Sequence, residues 1–226
     1  LLSLQQLLTF DTGISLVQAA STVTGQAIQD GVLLANALKN IPAIQTVFPA
    51  NNGLASQLKQ VAQVIAAQSA LGVKRQIFFC ASGGFDTHAD QLPQQVQLLS
   101  TVSQSMSAFY QATQELGAAN QVTTFSLSEF SRTLEPGSNG GSDHAWGGHQ
   151  LILGGAVKGN AIYGMYPTLA LGGPDDADQN GRWIPTTALD QYAATLATWF
   201  GVSAANLPSI FPNLANFPTS NLGFMG

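Results

Sequence analysis

Apolar side chains in the first seventy residues recur at the spacing of a helix face. Leu54, Leu58, Val61, Ile65 and Leu71 fall on one stripe, and Val17, Val32, Leu33, Leu34 and Leu38 sit among Ala and Gln with no strand alternation. The opening run from Leu1 to Leu8 already reads as helix, and Asn51-Asn52-Gly53 marks a break between two helices. The pattern changes at Arg75. Gln76-Ile77-Phe78-Phe79-Cys80 is a short β-type run ending in Ser82-Gly83-Gly84, which predicts a buried strand and a tight loop. Leu92, Val96, Leu99, Val102, Met106, Phe109 and Leu116 then hold one face of a long helix that Gly117 ends. Residues 121–127, Gln-Val-Thr-Thr-Phe-Ser-Leu, predict the next strand. Strand, helix and strand over this length predict a βαβ unit with parallel strands. Further β pieces are expected at 151–153 and 168–171. A last helix is expected to start at Pro185-Thr186-Thr187 and run through Leu189, Tyr192, Leu196 and Trp199 to Gly201.

The expected organisation is a helical segment over residues 1–72 followed by an α/β segment over 73–226. The two form one domain or the C-terminal portion of one. A chain of 226 residues with 45% hydrophobic content can bury a sizeable core. Charged residues make up only 8%, well below the roughly 25% of an average soluble domain. Gln, Asn, Ser and Thr supply the polarity instead, which suits an exported, periplasmic or extracellular protein. With seven Lys and Arg and a net charge of −5 there is no basic stripe, which argues against nucleic acid. No apolar run is long enough for a membrane span. One cysteine, Cys80, allows no internal disulfide. It ends an apolar strand, which favours an inert core thiol over a nucleophile, and Ser82 lacks the G-x-S-x-G setting of a hydrolase elbow.

The chemistry concentrates in two glycine-flanked loops. All three histidines lie there: His88 in Gly83-Gly84-Phe85-Asp86-Thr87-His88, and His144 and His149 in the run from Gly141 through Ser142, Asp143, Ala145 and Trp146 to Gly148. Neutral imidazole with carboxylate suits zinc or another divalent ion such as manganese or calcium. Asp86 and His88 are two apart, too close for one helix face, so they require a loop. The competing reading is a pair of hydrogen-bonded His–Asp contacts with no ion. A polar cluster, Ser128-Glu129-Phe130-Ser131-Arg132, follows the strand at 121–127. Arg132 and Arg182 could fork onto a phosphate or sulfate, or form structural salt bridges with Glu129 or an Asp. Asp176-Ala177-Asp178-Gln179-Asn180-Gly181 matches the opening of a calcium loop, but Thr187 stands where the bidentate Glu belongs, and an Asp- and Gly-rich turn is the favoured reading.

These motifs occur in a recognisable order. Gly84-Phe85-Asp86-Thr87-His88, Ser128 to Thr133, Gly141 to Gly147 and Gly181-Arg182-Trp183-Ile184-Pro185-Thr186 resemble the bacterial DUF1501 family, grouped with the alkaline phosphatase and sulfatase superfamily. The resemblance runs from about Phe10 to the C-terminus. It implies an α/β fold, a three-layer α/β/α sandwich with a mainly parallel sheet, alkaline-phosphatase-like and lacking its N-terminal part. It implies metal ligands at Asp86, His88, Asp143, His144 and His149, and catalytic roles for Arg132 and Glu129. Members of that family are usually about twice as long, and their early region carries the nucleophile. A missing N-terminal part of the same protein is therefore an expected partner. The expected function is an exported metal-dependent hydrolase of phosphate or sulfate esters, acting on a small ester or saccharide. The alternative is a non-catalytic secreted structural or binding module.

Overall fold

The computed structural model describes residues 2–10 and 13–226. The chain forms helices α1 (Leu2–Leu8), α2 (Ser15–Lys39), α3 (Gly53–Ala66), α4 (Gln68–Leu71) and α5 (Gln91–Glu115), then short strands β1 (Thr123–Phe125), β2 (Ser131–Arg132), β3 (His144–Ala145) and β4 (Ile152–Gly154), then helices α6 (Leu189–Phe200) and α7 (Leu207–Ile210). Two compact units result: Leu1–Ile44 with Gln60–Phe78, and Gln45–Lys59 with Phe79–Gly226. The candidate loops all lie in the second. Among the described residues no helix is long and apolar enough to cross a membrane.

The helices follow the apolar spacing closely. Helix α3 starts where Asn52 offers its side-chain oxygen to the Ala55 N–H at 3.0 Å, an N-cap bond that closes an otherwise open first turn. It buries Ala55, Leu58, Ala62 and Ile65, one residue per turn. Helix α5 buries Met106, Phe109 and Ala112 on one stripe. Helix α6 begins at Leu189 rather than at Pro185, and the Thr186 hydroxyl before it donates to the Met165 carbonyl. Its start is closed by the Gln191 side chain, which accepts the Ala188 N–H at 3.1 Å. Gly201, at φ 106°, takes the left-handed turn that ends it.

A core of the second unit gathers around Phe224, which is fully buried against Tyr192 and Leu196 of α6 with Ile152 of β4 beside them. The Tyr192 hydroxyl donates to the Ser126 carbonyl at 3.2 Å, and burial pushes its phenol well above the ordinary range. Ala194, Leu207 and Leu214 form a neighbouring cluster that ties α6 to the irregular tail.

The sheet departs from expectation. Among the described residues there is no three-layer sandwich and no parallel sheet. The described residues form two small two-stranded sheets, both antiparallel: β1 with β4, pairing Thr124 with Leu153, and β2 with β3. The physical reason lies in who pairs with whom. Strand β1 is only three residues long, and the chain returning through β4 bonds to it antiparallel. Residues 76–80 find no strand partner, so Ile77 and Phe79 stand 79% and 91% exposed instead of buried. Val96 and Leu99 at the start of α5 are exposed at 71% and 54%. Of the four α5 side chains expected inside, Met106 and Phe109 are buried and these two are not. The run at 168–171 is also not a strand; it leads into a turn where Gly173 N–H bonds the Ala170 carbonyl at 2.8 Å.

Candidate metal centre

The first loop is held by a residue between its two chemical ones. The Thr87 N–H bonds the Phe85 carbonyl at 3.0 Å, a tight turn centred on Asp86, and the chain bends again at His88. Thr87 is turned inward at 2% exposure, while Asp86 and His88 on either side of it are exposed. The Thr87 hydroxyl donates to Gln91 Oε1 at 3.2 Å and accepts from Gln95 Nε2 at 3.3 Å, which pins the loop to the first turns of α5. The Thr87 carbonyl accepts the Ser142 N–H at 3.2 Å, tying the first loop to the second.

The second loop gets its geometry from the β2–β3 ribbon, whose register sets Arg132 opposite His144 and Ser131 opposite Ala145. Ala145 is buried and His144 faces outward. Asp143 is fixed through its backbone: its N–H bonds the Thr133 hydroxyl at 3.0 Å, and its carbonyl accepts the Thr133 N–H at 2.9 Å. Gly141 lies against the first loop so closely that a Cβ there would sit 2.0 Å from the His88 carbonyl carbon, and no other residue fits.

These two supports bring three ligand atoms together. Asp86 Oδ1 lies 2.9 Å from His88 Nε2 and 2.9 Å from His144 Nε2, and the two nitrogens are 3.3 Å apart. Ligands bound tetrahedrally to zinc at about 2.0–2.1 Å are themselves about 3.3 Å apart. The donor set is one that could hold a divalent ion: the two nitrogens stand at that spacing, the oxygen lies closer to each, and all three side chains are about half exposed. The same contacts also stand as imidazole N–H groups donating to one carboxylate oxygen.

Asp86 is positioned from behind. Arg132, only 12% exposed at its side chain, donates from Nη1 to Asp86 Oδ1 at 2.7 Å. Its other nitrogens are engaged by Ser142, with Nε at 3.1 Å from the hydroxyl and Nη2 on the carbonyl. Ser142 is buried and its hydroxyl bonds Gln91. Hydrogen bonding from His144, with further help from Arg132 and the nearby imidazoles, holds the Asp86 carboxyl below its ordinary range. Phe130 lies flat on the His144 ring, centroids 3.9 Å apart and planes 8° from parallel. The His144 carbonyl accepts from Arg182 Nε at 3.1 Å, while Nη1 of Arg182 pairs with Asp178.

The other candidate residues stand apart from this triangle. Asp143 Oδ1 is 3.7 Å from His88 Nδ1, on the far side of the ring from the cluster. In the tautomer with its proton on Nδ1, His88 turns that N–H toward Asp143 and leaves the Nε2 lone pair for an ion. His149 stacks on Tyr166 with centroids 5.2 Å apart. Glu129 is exposed, one residue before the ring that covers His144. The Asp176 loop is a turn held by its own backbone. Partial burial works to raise the Asp176 carboxyl, but N–H groups of Gly172, Gly181, Arg182 and Gln179 outweigh it and hold it below its ordinary range. Those bonds use the oxygens a calcium ion would need. Sequence reasoning passed over Thr87, Gln91, Ser142 as a support and Phe130. Of these, Thr87, Ser142 and Phe130 lie inside the quoted motifs, whereas nothing in the local pattern distinguishes Gln91 from other polar residues.

A family model described as "Protein of unknown function (DUF1501)" matches residues 10–179, well over half of the chain and including every residue of the cluster. No curated protein and no solved structure matches the chain.

Proposed function

We propose that this chain, which belongs to the DUF1501 family of proteins of unknown function, carries a divalent metal on Asp86, His88 and His144 and serves an exported hydrolase of phosphate or sulfate esters. The observation that supports this reading most is the triangle of ligand atoms at 2.9, 2.9 and 3.3 Å. Zinc fits the nitrogen-rich donor set best, with manganese next. A bound ion of this kind polarises an ester oxygen and activates a nucleophilic oxygen.

The chain's own groups have distinct tasks in this reading. Asp86 supplies the anionic oxygen, and Arg132 fixes its direction from the buried side, acting as a positioning residue. His88 and His144 present Nε2, the first steered by Asp143 and the second by the Phe130 ring. The half-exposed side chains face solvent, where an ester can approach. We place the protein outside the cytoplasm, on its low charge and its polarity from neutral side chains. We also group it with alkaline phosphatase and sulfatase-like proteins, on the order of its motifs rather than on its sheet.

One observation favours the second reading, a non-catalytic secreted binding module. Among the described residues, no serine, threonine or cysteine side chain is bonded to Asp86, His88 or His144. The deciding experiment is elemental analysis of the full-length protein after reconstitution with zinc, manganese and calcium, beside hydrolysis of p-nitrophenyl phosphate and p-nitrophenyl sulfate. One bound ion per chain, lost in His88→Ala and His144→Ala together with turnover, supports the hydrolase. A stoichiometric ion with no turnover supports the binding module, and no ion in any condition removes the metal reading. Fractionation of the native host tests export.

A further inference from the structure

The β2–β3 ribbon that sets Arg132 opposite His144 ends its pairing at Ala145, and the chain bends at Trp146. Trp146 thus stands two residues from the outward His144, with buried Ala145 between them. Phe130 is already engaged, flat against His144. Trp146 is not: it is 61% exposed, whereas Trp183 is buried and Trp199 is partly so. Its backbone is held on both sides, by Ala145 in the ribbon and by the Gly147 N–H, which bonds the Trp183 carbonyl at 2.9 Å. An exposed indole two residues from His144, on backbone held on both sides, is a surface on which a flat group can stack.

We propose that Trp146 is a specificity-determining platform that takes the alcohol part of the ester. The substrate class is then a phosphate or sulfate ester whose alcohol carries a flat apolar face, a pyranose ring or an aryl group. This rests on the metal reading above. The oxyanion end faces Asp86, His88 and His144, and the ring lies along the indole two residues from His144.

Binding to the zinc-loaded full-length protein tests it without turnover. Two pairs of probes share a head group and differ in the flat face: phenylphosphonate against methylphosphonate, and glucose 6-sulfate against ethyl sulfate. Calorimetry should give about tenfold tighter binding for the flat member of at least one pair, the scale of one aromatic stacking contact. The pair that shows it distinguishes an aryl from a sugar substrate. The same ligand should protect tryptophan emission from acrylamide. Trp146→Ala should remove the advantage and the protection while zinc uptake and methylphosphonate affinity stay unchanged, and Trp146→Phe should keep part of the advantage. Equal affinities within both pairs, or an advantage that survives Trp146→Ala, overturns the platform while leaving the metal reading intact. Failure of the wild-type protein to take up zinc overturns both, and the zinc analysis shows it before any probe is added.

Discussion

Replacing Gly141 with alanine tests whether the two loops create the cluster by close approach. The added methyl would meet three backbone atoms of the first loop: the His88 carbonyl carbon at 2.0 Å, its oxygen at 2.3 Å and the Ala89 nitrogen at 2.4 Å. None is the end of a flexible side chain, so the loops themselves must part. Bringing the nearest contact from 2.0 Å to an ordinary 3.4 Å requires a retreat of about 1.4 Å. The bonds that hold the loops together cannot stretch that far, since Ser142 N–H to Thr87 O is already 3.2 Å and Gln91 N–H to Gly140 O is 3.0 Å. Metal sites tolerate displacements of only about 0.5 Å. Gly141→Ala should therefore weaken zinc binding by more than the roughly 100-fold that loss of a supporting group costs. It should also lower stability by about 1–3 kcal/mol, as overpacking does. A chelator-competition titration reads the first effect and urea unfolding the second. Gly83→Ala, in the first loop and with open space around its Cβ, is the control and should change neither. If Gly141→Ala binds zinc like the control, loop contact does not set the ligand geometry and the argument fails.

Three other outcomes follow from single contacts. Phe109 is almost fully buried on α5, so Phe109→Ala should cost about 3–5 kcal/mol in urea unfolding; a loss below 1 kcal/mol would mean that this face is not core. The Glu115 carboxylate accepts the Thr46 hydroxyl and the backbone N–H groups of Gln45 and Thr46, which hold its carboxyl below the ordinary 4.5. A carboxyl whose folded pKa is depressed stabilises fully above its unfolded value and loses that effect as pH falls through the folded one. Glu115→Gln should thus lower the unfolding midpoint at neutral pH and match the wild type in strong acid, and a difference that persists in acid would contradict this. Asp176→Asn should loosen the turn from Gly172 to Arg182 and expose it to limited proteolysis, with zinc uptake unchanged.

The helices were legible because their signals are local. Apolar spacing, the Asn52 side-chain cap and Gly201 each act within a turn or two, so α3 and α5 fall where the pattern puts them and α6 ends where it should, starting four residues late. Strands are not local. Ile77-Phe78-Phe79 has the composition of a buried strand, but burial depends on a partner from elsewhere in the chain, and none is present among the described residues. The βαβ reading located α5 and β1 correctly. It failed on pairing because a parallel neighbour was inferred from the order of elements alone, while β4 held the hydrogen-bonding edge of β1. On α5, Met106 and Phe109 are buried as the spacing predicts, whereas Val96 and Leu99 stand exposed.

The cluster came together without the sheet that was expected to carry it, and the reason is physical. Asp86 and His88 face outward on either side of the buried Thr87 in a tight turn, and His144 faces outward beside the buried Ala145. Both placements need only short local backbone, not a large sheet. What joins them is a short polar chain, from Thr87 and Gln91 through Ser142 to Arg132 and so to Asp86. Buried polar groups are costly when unpaired, so such a chain holds one arrangement far more firmly than exposed ion pairs do. Asp143 and His149 lie in the same sequence motif but outside this support: Asp143 projects its carboxylate past the far edge of the His88 ring, and His149 follows the turn after Trp146 to stack on Tyr166. Motif membership therefore marked the neighbourhood, and the buried hydrogen bonds decided which of its residues point at one another.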